Sequence, residues 1–599
     1  MYAPGNALTP FFPKRGSDPI FQKEDIMIKP AQILLIIHFL LAAILAGCFQ
    51  DSPAGSDRDQ DRCGTVAADA LAGIEANGLT IIESVTAEGA TGYLAVDGNG
   101  KKFLILQGSA EAMGYQMGYL MAEGVYRMTK EFTGGVIKSL SGIDPVKTKI
   151  LFDYIISEGL VSCKNALPSI PGYLQEEMAG VARGASDRGY EVTFDDVLLL
   201  NEGIDALFAM IMTGVLPSLA GKGELPAEVQ AEIENNSDTI EMDGDAVRFL
   251  KADPFVLGCN EFVISGNATA DGGVYHGRDF MFPTAHIYQD VACMAVYLPD
   301  NGLPFTCVTA PGFVGQTTGI NSQGLSMGMD VVMGTGTRST PGMCCLLVMR
   351  DIVQNCPGLD TAVARMKTQD RGVSWLYILG DDEYSDTYTN GIVIEEGMSA
   401  DSSGEEINGP DTLRAWQEYL LAPWINLLDN TLPERGIMTR TQDWIYPEEF
   451  QDIGFAITLP DGSRTLGLYF PEQIESWSDL VMATNHYIIP RMAFTSMDPW
   501  ISLVRDTTDS EWRYGELYKI LEQEYGTIDF DTARDIIDFL NPNCVYGDLE
   551  YYEKGGEIEG HHAVFDNTGL VLEGLFGYYG SDPSQKTPWA RVELGSFLE

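Results

Sequence analysis

Basic residues are scarce in this chain: 37 Lys and Arg stand against 86 Asp and Glu in 599 residues, a formal net charge of -49. A surface of that sign repels nucleic acid and anionic lipid head groups, so neither is expected as a partner. The charge reads as solubility or adaptation to a salty medium, with a specific cationic ligand as the alternative. Histidine is scarcer still, at six: His38, His276, His286, His486, His561 and His562. None makes the paired Cys/His spacing typical of zinc, and no nucleotide fingerprint is present, so no metal and no cofactor is expected. No internal repeat period is evident.

Apolar residues are not lacking. At 45% hydrophobic, with 26 Phe, 26 Tyr and 8 Trp, the chain can fill a large core, and its length suggests several domains or one elaborated one. The run Ala31 to Gly47 follows Lys29 and ends Leu45-Ala46-Gly47-Cys48. A basic residue, a short apolar core and small residues before a cleavage point read as an export signal. Its 17 residues are short for a spanning helix, which needs about 20; an uncleaved membrane anchor is the alternative. The cysteine after Leu-Ala-Gly resembles a prokaryotic lipobox, which implies that Cys48 is lipidated and anchors an extracytoplasmic protein to the cell envelope. Met27 reads as the natural start. Residues 1–48 are thus a leader and 49–78 a polar tether. Of the ten cysteines, most lie in apolar runs, as small buried hydrophobes do, and their spacing fixes no disulfide framework.

Residues 80–107 alternate around Asp97-Gly98-Asn99-Gly100 and read as a strand pair. Helical patterns follow at 108–130, with Gly114, Gly118 and Gly124 near one face, then at 146–166 and 171–189. Another begins at Thr193, where Asp196 completes a capping-box-like start. From residue 259 the pattern changes to short apolar strands at 259–266, 273–280, 289–298, 304–309, 312–320 and 324–331, parted by Gly- and Asn-bearing turns. Helices are expected at 342–356 and 359–367, placing Cys344-Cys345 in the core, with strands at 373–379 and 391–396. Residues 397–480 read as an insertion. A helical pair at 510–524 and 530–540 precedes strands at 561–566 and 569–576. Blocks of strands packed on helices indicate a layered mixed α/β (α+β) domain rather than a doubly wound sheet.

Within this order one dipeptide stands out. Gly258-Cys259 opens the apolar run Cys259-Asn260-Glu261-Phe262-Val263-Ile264 directly after a small residue. A cut before Cys259 would make it an N-terminal residue whose thiol attacks and whose α-amine takes the proton. The two groups have ordinary pKa values near 8.5 and 8, matched for transfer without a histidine; a Cys/His couple stays open. The plain alternative is a buried strand cysteine.

The segment Gly108-Ser109-Ala110-Glu111-Ala112-Met113-Gly114-Tyr115-Gln116-Met117-Gly118 resembles the opening helix of the acyl-coenzyme A:6-aminopenicillanic acid acyl-transferase family, whose members are cysteine-type N-terminal-nucleophile hydrolases. Residues 177–184 and 198–202 look like that family's next helices, Gly312-Phe313-Val314-Gly315 and Gly319 to Gly324 like its paired strands, and Ser510 to Tyr514 and Phe565-Asp566 like later segments. The resemblance runs through most of the chain. It implies a four-layer αββα sandwich made as a precursor, with a pro-segment at 79–258 and a catalytic domain at 259–599. It also implies autocleavage at Gly258-Cys259, two fragments that stay associated, and hydrolysis or transfer of a small-molecule acyl amide (or thioester). Asn485, within Thr484-Asn485-His486, matches the oxyanion asparagine. Arg278 matches the arginine of the related bile-salt and penicillin V hydrolases. The family's usual Gly-Gln/Arg-Asn-x-Asp reads here Gly277-Arg278-Asp279-Phe280-Met281, so Met281 stands where an aspartate usually holds the amine. Asp279, on the same strand face as position 281, is the expected substitute; a surface ion pair of Arg278 with Asp279 is its alternative. A non-catalytic lipoprotein binding module and an ester or phospholipid acyl hydrolase remain as other functions.

Overall fold

Short, nearly continuous apolar runs broken by glycine turns give most strands of this protein two buried faces, and the chain stacks them as two sheets between helices. The computed structural model describes residues 68–141, 149–212, 258–282, 285, 287–332, 342–396, 437–445, 479–489, 509–544, 560–578 and 588–598, with 228–229, 231–232, 456–458, 465–467 and 492. Cys48, the leader, most of the tether and most of the 397–480 insertion lie outside these residues.

The larger sheet has ten strands: β1 Thr80–Ala87, β2 Ala90–Val96, β3 Lys102–Gly108, β6 Cys293–Pro299, β7 Phe305–Thr309, β8 Thr318–Asn321, β9 Ser326–Val331, β10 Trp375–Ser385, β11 Thr389–Glu396 and β12 Ile437–Thr441. They lie side by side in that order. All neighbours are antiparallel except β3 and β6, which run parallel. The smaller sheet comprises, again in spatial order, β15 Leu480–Ala483, β4 Gly258–Ile264, β5 Tyr275–Met281, β16 His561–Asp566, β17 Val571–Leu575 and β18 Ala590–Glu593. A separate hairpin joins β13 Ala456–Thr458 to β14 Thr465–Gly467.

The sheets meet face to face. Gly391 on β11 lies against Val263 on β4, where an added Cβ would stand 2.7 Å from the valine Cγ1. Outside the small sheet pack α11 Asp509–Glu524 and α12 Phe530–Cys544, around Phe262, Ile264, Leu517 and Ile537. Outside the large sheet lie α1 Ala70–Ala76, α2 Ala110–Leu120, α3 Ala122–Arg127, α4 Thr133–Ser141, α5 Lys149–Ala166, α6 Gly172–Asp187 and α7 Phe194–Met212. They share the main core with α9 Cys345–Asn355 and α10 Leu359–Thr368; α8 is the short Tyr288–Val291. This is the expected four-layer αββα arrangement.

Several details differ from the sequence reading. Residues 70–76, expected in the polar tether, are α1 with Ala70 and Ile74 buried; the strand expected at 289–298 begins at Cys293 after α8, and that expected at 312–320 begins at Thr318. The segment 80–107 is a three-stranded meander, because Glu88-Gly89 makes a second turn with both residues at positive φ. The insertion is not wholly outside the domain, since 437–441 supplies β12. And residue 258 is no boundary in the fold: β3, upstream of it, is hydrogen-bonded to β6, downstream of it. The upstream helices are equally committed. On α2, Gly114 and Gly118 lie against the α6 backbone, where a Cβ would collide with the carbonyls of Glu177 and Val181.

His276, His486, His561 and His562 are buried, and burial holds all four imidazoles below their ordinary range, His276 and His486 at about 3. The unfolded chain protonates these rings near pH 6.5 while the fold keeps them neutral. Their contribution is therefore intact above about pH 6.5 and is lost as pH falls from there toward 3. Thermal melts across that window are expected to show a falling midpoint; a flat profile would mean that the rings are protonated in the fold.

Candidate active site

Cys259 is the second residue of β4 and 2% exposed. It is paired with Phe280 on β5, as Asn260 is with Asp279 and Glu261 with Arg278. Directly paired residues share a face and successive ones alternate. Cys259, Glu261, Arg278 and Phe280 thus face the large sheet, whereas Asn260, Asp279 and Met281 face the α11–α12 layer.

On the inner face the groups around the thiol are ionic and wholly buried. Arg278 Nη1 donates to Asp330 Oδ1 at 2.7 Å and also pairs with Glu261. The Asp330 carboxylate, on β9, stands near enough for its charge to act on the Cys259 thiol, and its Oδ2 is buried without a hydrogen-bond partner. Burial first, then the negative charge of Asp330, pushes the thiol up to about 12, against the opposing pull of Arg278 and Arg513. Burial also raises Asp330 above the usual carboxylate range, with Arg278 opposing. In the uncut chain Cys259 is accordingly a buried thiol beside a buried carboxylate.

The backbone of Cys259 is held from the other side. Its N–H donates to Asn485 Oδ1 at 2.8 Å, just past the end of β15. Arg513 on α11 donates to the same Oδ1 at 2.7 Å, to Asn260 Oδ1 at 3.0 Å and to the Cys259 carbonyl. Asn485 Nδ2 donates to the Val331 carbonyl at 2.9 Å, leaving the second N–H of that amide for an oxyanion. Gly258 faces Met281, and a Cβ on it would meet the Met281 methyl.

The structure therefore brings Cys259, Gly258, Asn485 and Arg278 together. Arg278 and Asp279 do not form a surface ion pair: both are buried, and Arg278 is engaged with Asp330 and Glu261. Asp279 accepts from Asn260 Nδ2 at 2.9 Å and lies 3.5 Å from His562. It sits on the face away from the thiol; the carboxylate that meets the thiol's face from the opposite sheet is Asp330. Asp330, Glu261 and Arg513 are the residues the sequence reading did not single out. The available signal was a lone acid inside the apolar stretch Met327-Gly328-Met329-Asp330-Val331. An Asp330→Asn variant is expected to slow maturation by about 10²–10⁴-fold, the usual worth of a positioned proton acceptor. An unchanged rate of maturation would remove Asp330 from the chemistry.

A cavity of about 1020 Å³, its open mouth included, adjoins this site. Its wall is almost wholly apolar and includes Phe132, Ile155, Leu199, Leu207, Phe280 and Phe313. Phe280 is the cross-strand neighbour of Cys259, so the cavity begins one side chain from the thiol.

Residues 271–399 match the acyl-coenzyme A:6-aminopenicillanic acid acyl-transferase family, a span that holds Arg278 and Asp330, starts after Cys259 and ends before Asn485. An uncharacterized protein of Archaeoglobus fulgidus is 33% identical over 506 residues, 84% of this chain and 67% of that protein. The chain belongs to the acyl-transferase family. Among solved structures, a Caenorhabditis elegans ortholog of N-acylethanolamine-hydrolyzing acid amidase is similar over 52% of this chain and 93% of that one, at 10% identity and TM-score 0.29. A mutant form of the conjugated bile acid hydrolase of Clostridium perfringens is similar over 56% and 92% at 10% identity and TM-score 0.28. For penicillin V acylase of Agrobacterium tumefaciens the shares are 57% and 93%, at 8% identity and TM-score 0.26. Membership makes this chain a relative of acyl-transferring enzymes.

Proposed function

We propose that this acyl-transferase family member matures by cleaving itself between Gly258 and Cys259 and then hydrolyses or transfers the acyl group of amides, with Cys259 as nucleophile. The observation that carries the reading is how one residue is held: Asn485 and Arg513 bind its backbone, and the buried Asp330–Arg278 pair faces its thiol. In the precursor, Asp330 takes the thiol proton and the sulfur attacks the Gly258 carbonyl carbon. The C–N bond breaks, the amine of Cys259 leaves protonated, and water hydrolyses the resulting thioester. In turnover the freed amine, near pKa 8, accepts the thiol proton in its turn. The sulfur adds to the substrate carbonyl, the Asn485 amide donates to the oxyanion, and the leaving amine departs with the proton. Water, or an acceptor amine, releases the acyl group from the thioester.

The cavity supports an apolar acyl group on the substrate. A chain bound to Cys259 would pass Phe280 to reach it. The same cavity supports a second reading, an ester or phospholipid acyl hydrolase, because an apolar tail places no demand on the leaving group. A mechanism-based label should attach to Cys259, and turnover of N-acyl amines and acyl esters of graded chain length should favour long chains. Leu199→Trp, which fills the cavity, is expected to cut kcat/KM for long-chain substrates at least tenfold with little change for short ones. Equal loss for both lengths would separate the cavity from the substrate. Export and anchoring through Cys48 belong to the same proposal, and radiolabelled acyl incorporation lost in Cys48→Ala tests them.

A further inference from the structure

Five side chains with sulfur or carboxylate donors meet in the helical layer, away from Cys259. They are Cys163 on α5, Glu202 and Asp205 on α7, and Cys344 and Cys345 at the start of α9. All five are less than 5% exposed. Cys344 is the extended residue that caps α9 and Cys345 the first helical one, and their sulfurs lie 3.7 Å apart. A disulfide would hold them at about 2 Å. Two sulfurs on one tetrahedral ion, with bonds of about 2.3 Å, stand about 3.8 Å apart. One carboxylate oxygen of Asp205 completes a trio of donor atoms that all lie within 4.8 Å of one another.

The surroundings suit a ligand set. Asp205 is oriented by the Val373 N–H at 3.1 Å and by the Trp375 indole N–H at 3.0 Å, the outer hydrogen bonds that ligating carboxylates carry. Glu202 accepts the Cys344 N–H at 3.0 Å, and Cys163 stands against both. Among the described residues neither Glu202 nor Asp205 forms a salt bridge, although buried charges are ordinarily paired or bound to metal.

We propose that Asp205, Cys344 and Cys345 form a buried site for a thiophilic divalent cation such as zinc, with Glu202 bracing it through the Cys344 N–H. Binding deprotonates both thiols and releases their two protons to solvent, so affinity rises with pH. The ion would join α7, upstream of Gly258, to α9, downstream of it. This proposal does not rest on the chemistry assigned to Cys259.

The test uses the full chain carrying Cys259→Ser, which removes the competing thiol, loaded with zinc or cobalt and desalted. One ion per chain is expected, with a thiolate-to-cobalt charge-transfer band. Cys344→Ser with Cys345→Ser should abolish both, and Asp205→Asn should weaken binding at least tenfold. Less than a tenth of an ion per chain overturns the site, as does binding that survives the double substitution. Should the double variant fail to fold, the parent protein decides. Zinc is then expected to raise its melting temperature and protect two thiols from alkylation. No shift and no protection, or a Cys344–Cys345 disulfide by mass spectrometry, overturns the proposal.

Discussion

Cys259→Ala is expected to run as one uncut chain on a denaturing gel and to lose acyl turnover by at least about 10⁴-fold, the scale on which an enzyme loses its covalent nucleophile. Wild type should show two fragments, with the new N-terminus at Cys259. The expectation rests on geometry: Asn485 and Arg513 hold the Cys259 backbone, and the Asp330–Arg278 pair faces its thiol from β9 of the opposite sheet and from β5 beside it. The alternative, a binding module on the same fold, predicts an uncut wild-type chain with Cys259 in place. N-terminal sequencing separates the two outcomes at once. Cys259→Ser tests the order of events, since a hydroxyl can support a slower cut and still be a poor catalyst.

The largest effect on stability should come from Arg350→Ala, at about 3–5 kcal/mol, the cost of leaving a buried carboxylate without its partner. Arg350 on α9 is fully buried, with its guanidinium 4.6 Å from the Tyr297 ring centroid and 4.7 Å from that of Phe305. It holds Glu177 of α6 through Nη1 at 3.0 Å and Nη2 at 2.9 Å. Removing the arginine leaves Glu177 uncompensated, whereas exchanging both residues for apolar ones of similar volume should cost far less. Denaturant melts of the two variants check this; a loss below about 1 kcal/mol for Arg350→Ala would mean that water reaches Glu177. The pair spans the 258–259 bond, so the loss should appear as loosening of the upstream part.

The layered fold was legible because its signals are local. Gly- and Asn-bearing turns and the Thr193–Asp196 cap read correctly, whereas the strands expected at 289–298 and 312–320 begin only at Cys293 and Thr318. The meander at 80–108 was read as a pair because β1 lies at the sheet's edge with Ile81 and Ile82 exposed, which blurs its alternation. β18 spans four residues, too short a run for alternation to be read. In the site, Cys259 and Asn485 stood out through their neighbours in sequence. Asp330 did not, because its meaning depends on β9 lying across from β4 in another sheet, far along the chain. Asp279 shows the opposite case: alternation placed it on the same face as residue 281, but that face turns to the α11–α12 helices.

The parallel pairing of β3 with β6 also bears on how the protein could be lost. A cut at 258–259 would divide one sheet between two chains while leaving each hydrogen bond of that seam in place. Separating the pieces would then require tearing the sheet's interior rather than undocking a surface. An uncut chain unfolded in denaturant can find β3 again at an effective concentration set by its own tether, whereas a cut one must find it by diffusion. Cleavage would thus act as a ratchet on the protein's lifetime: the matured form persists as long as it stays folded and has little means of return once it does not.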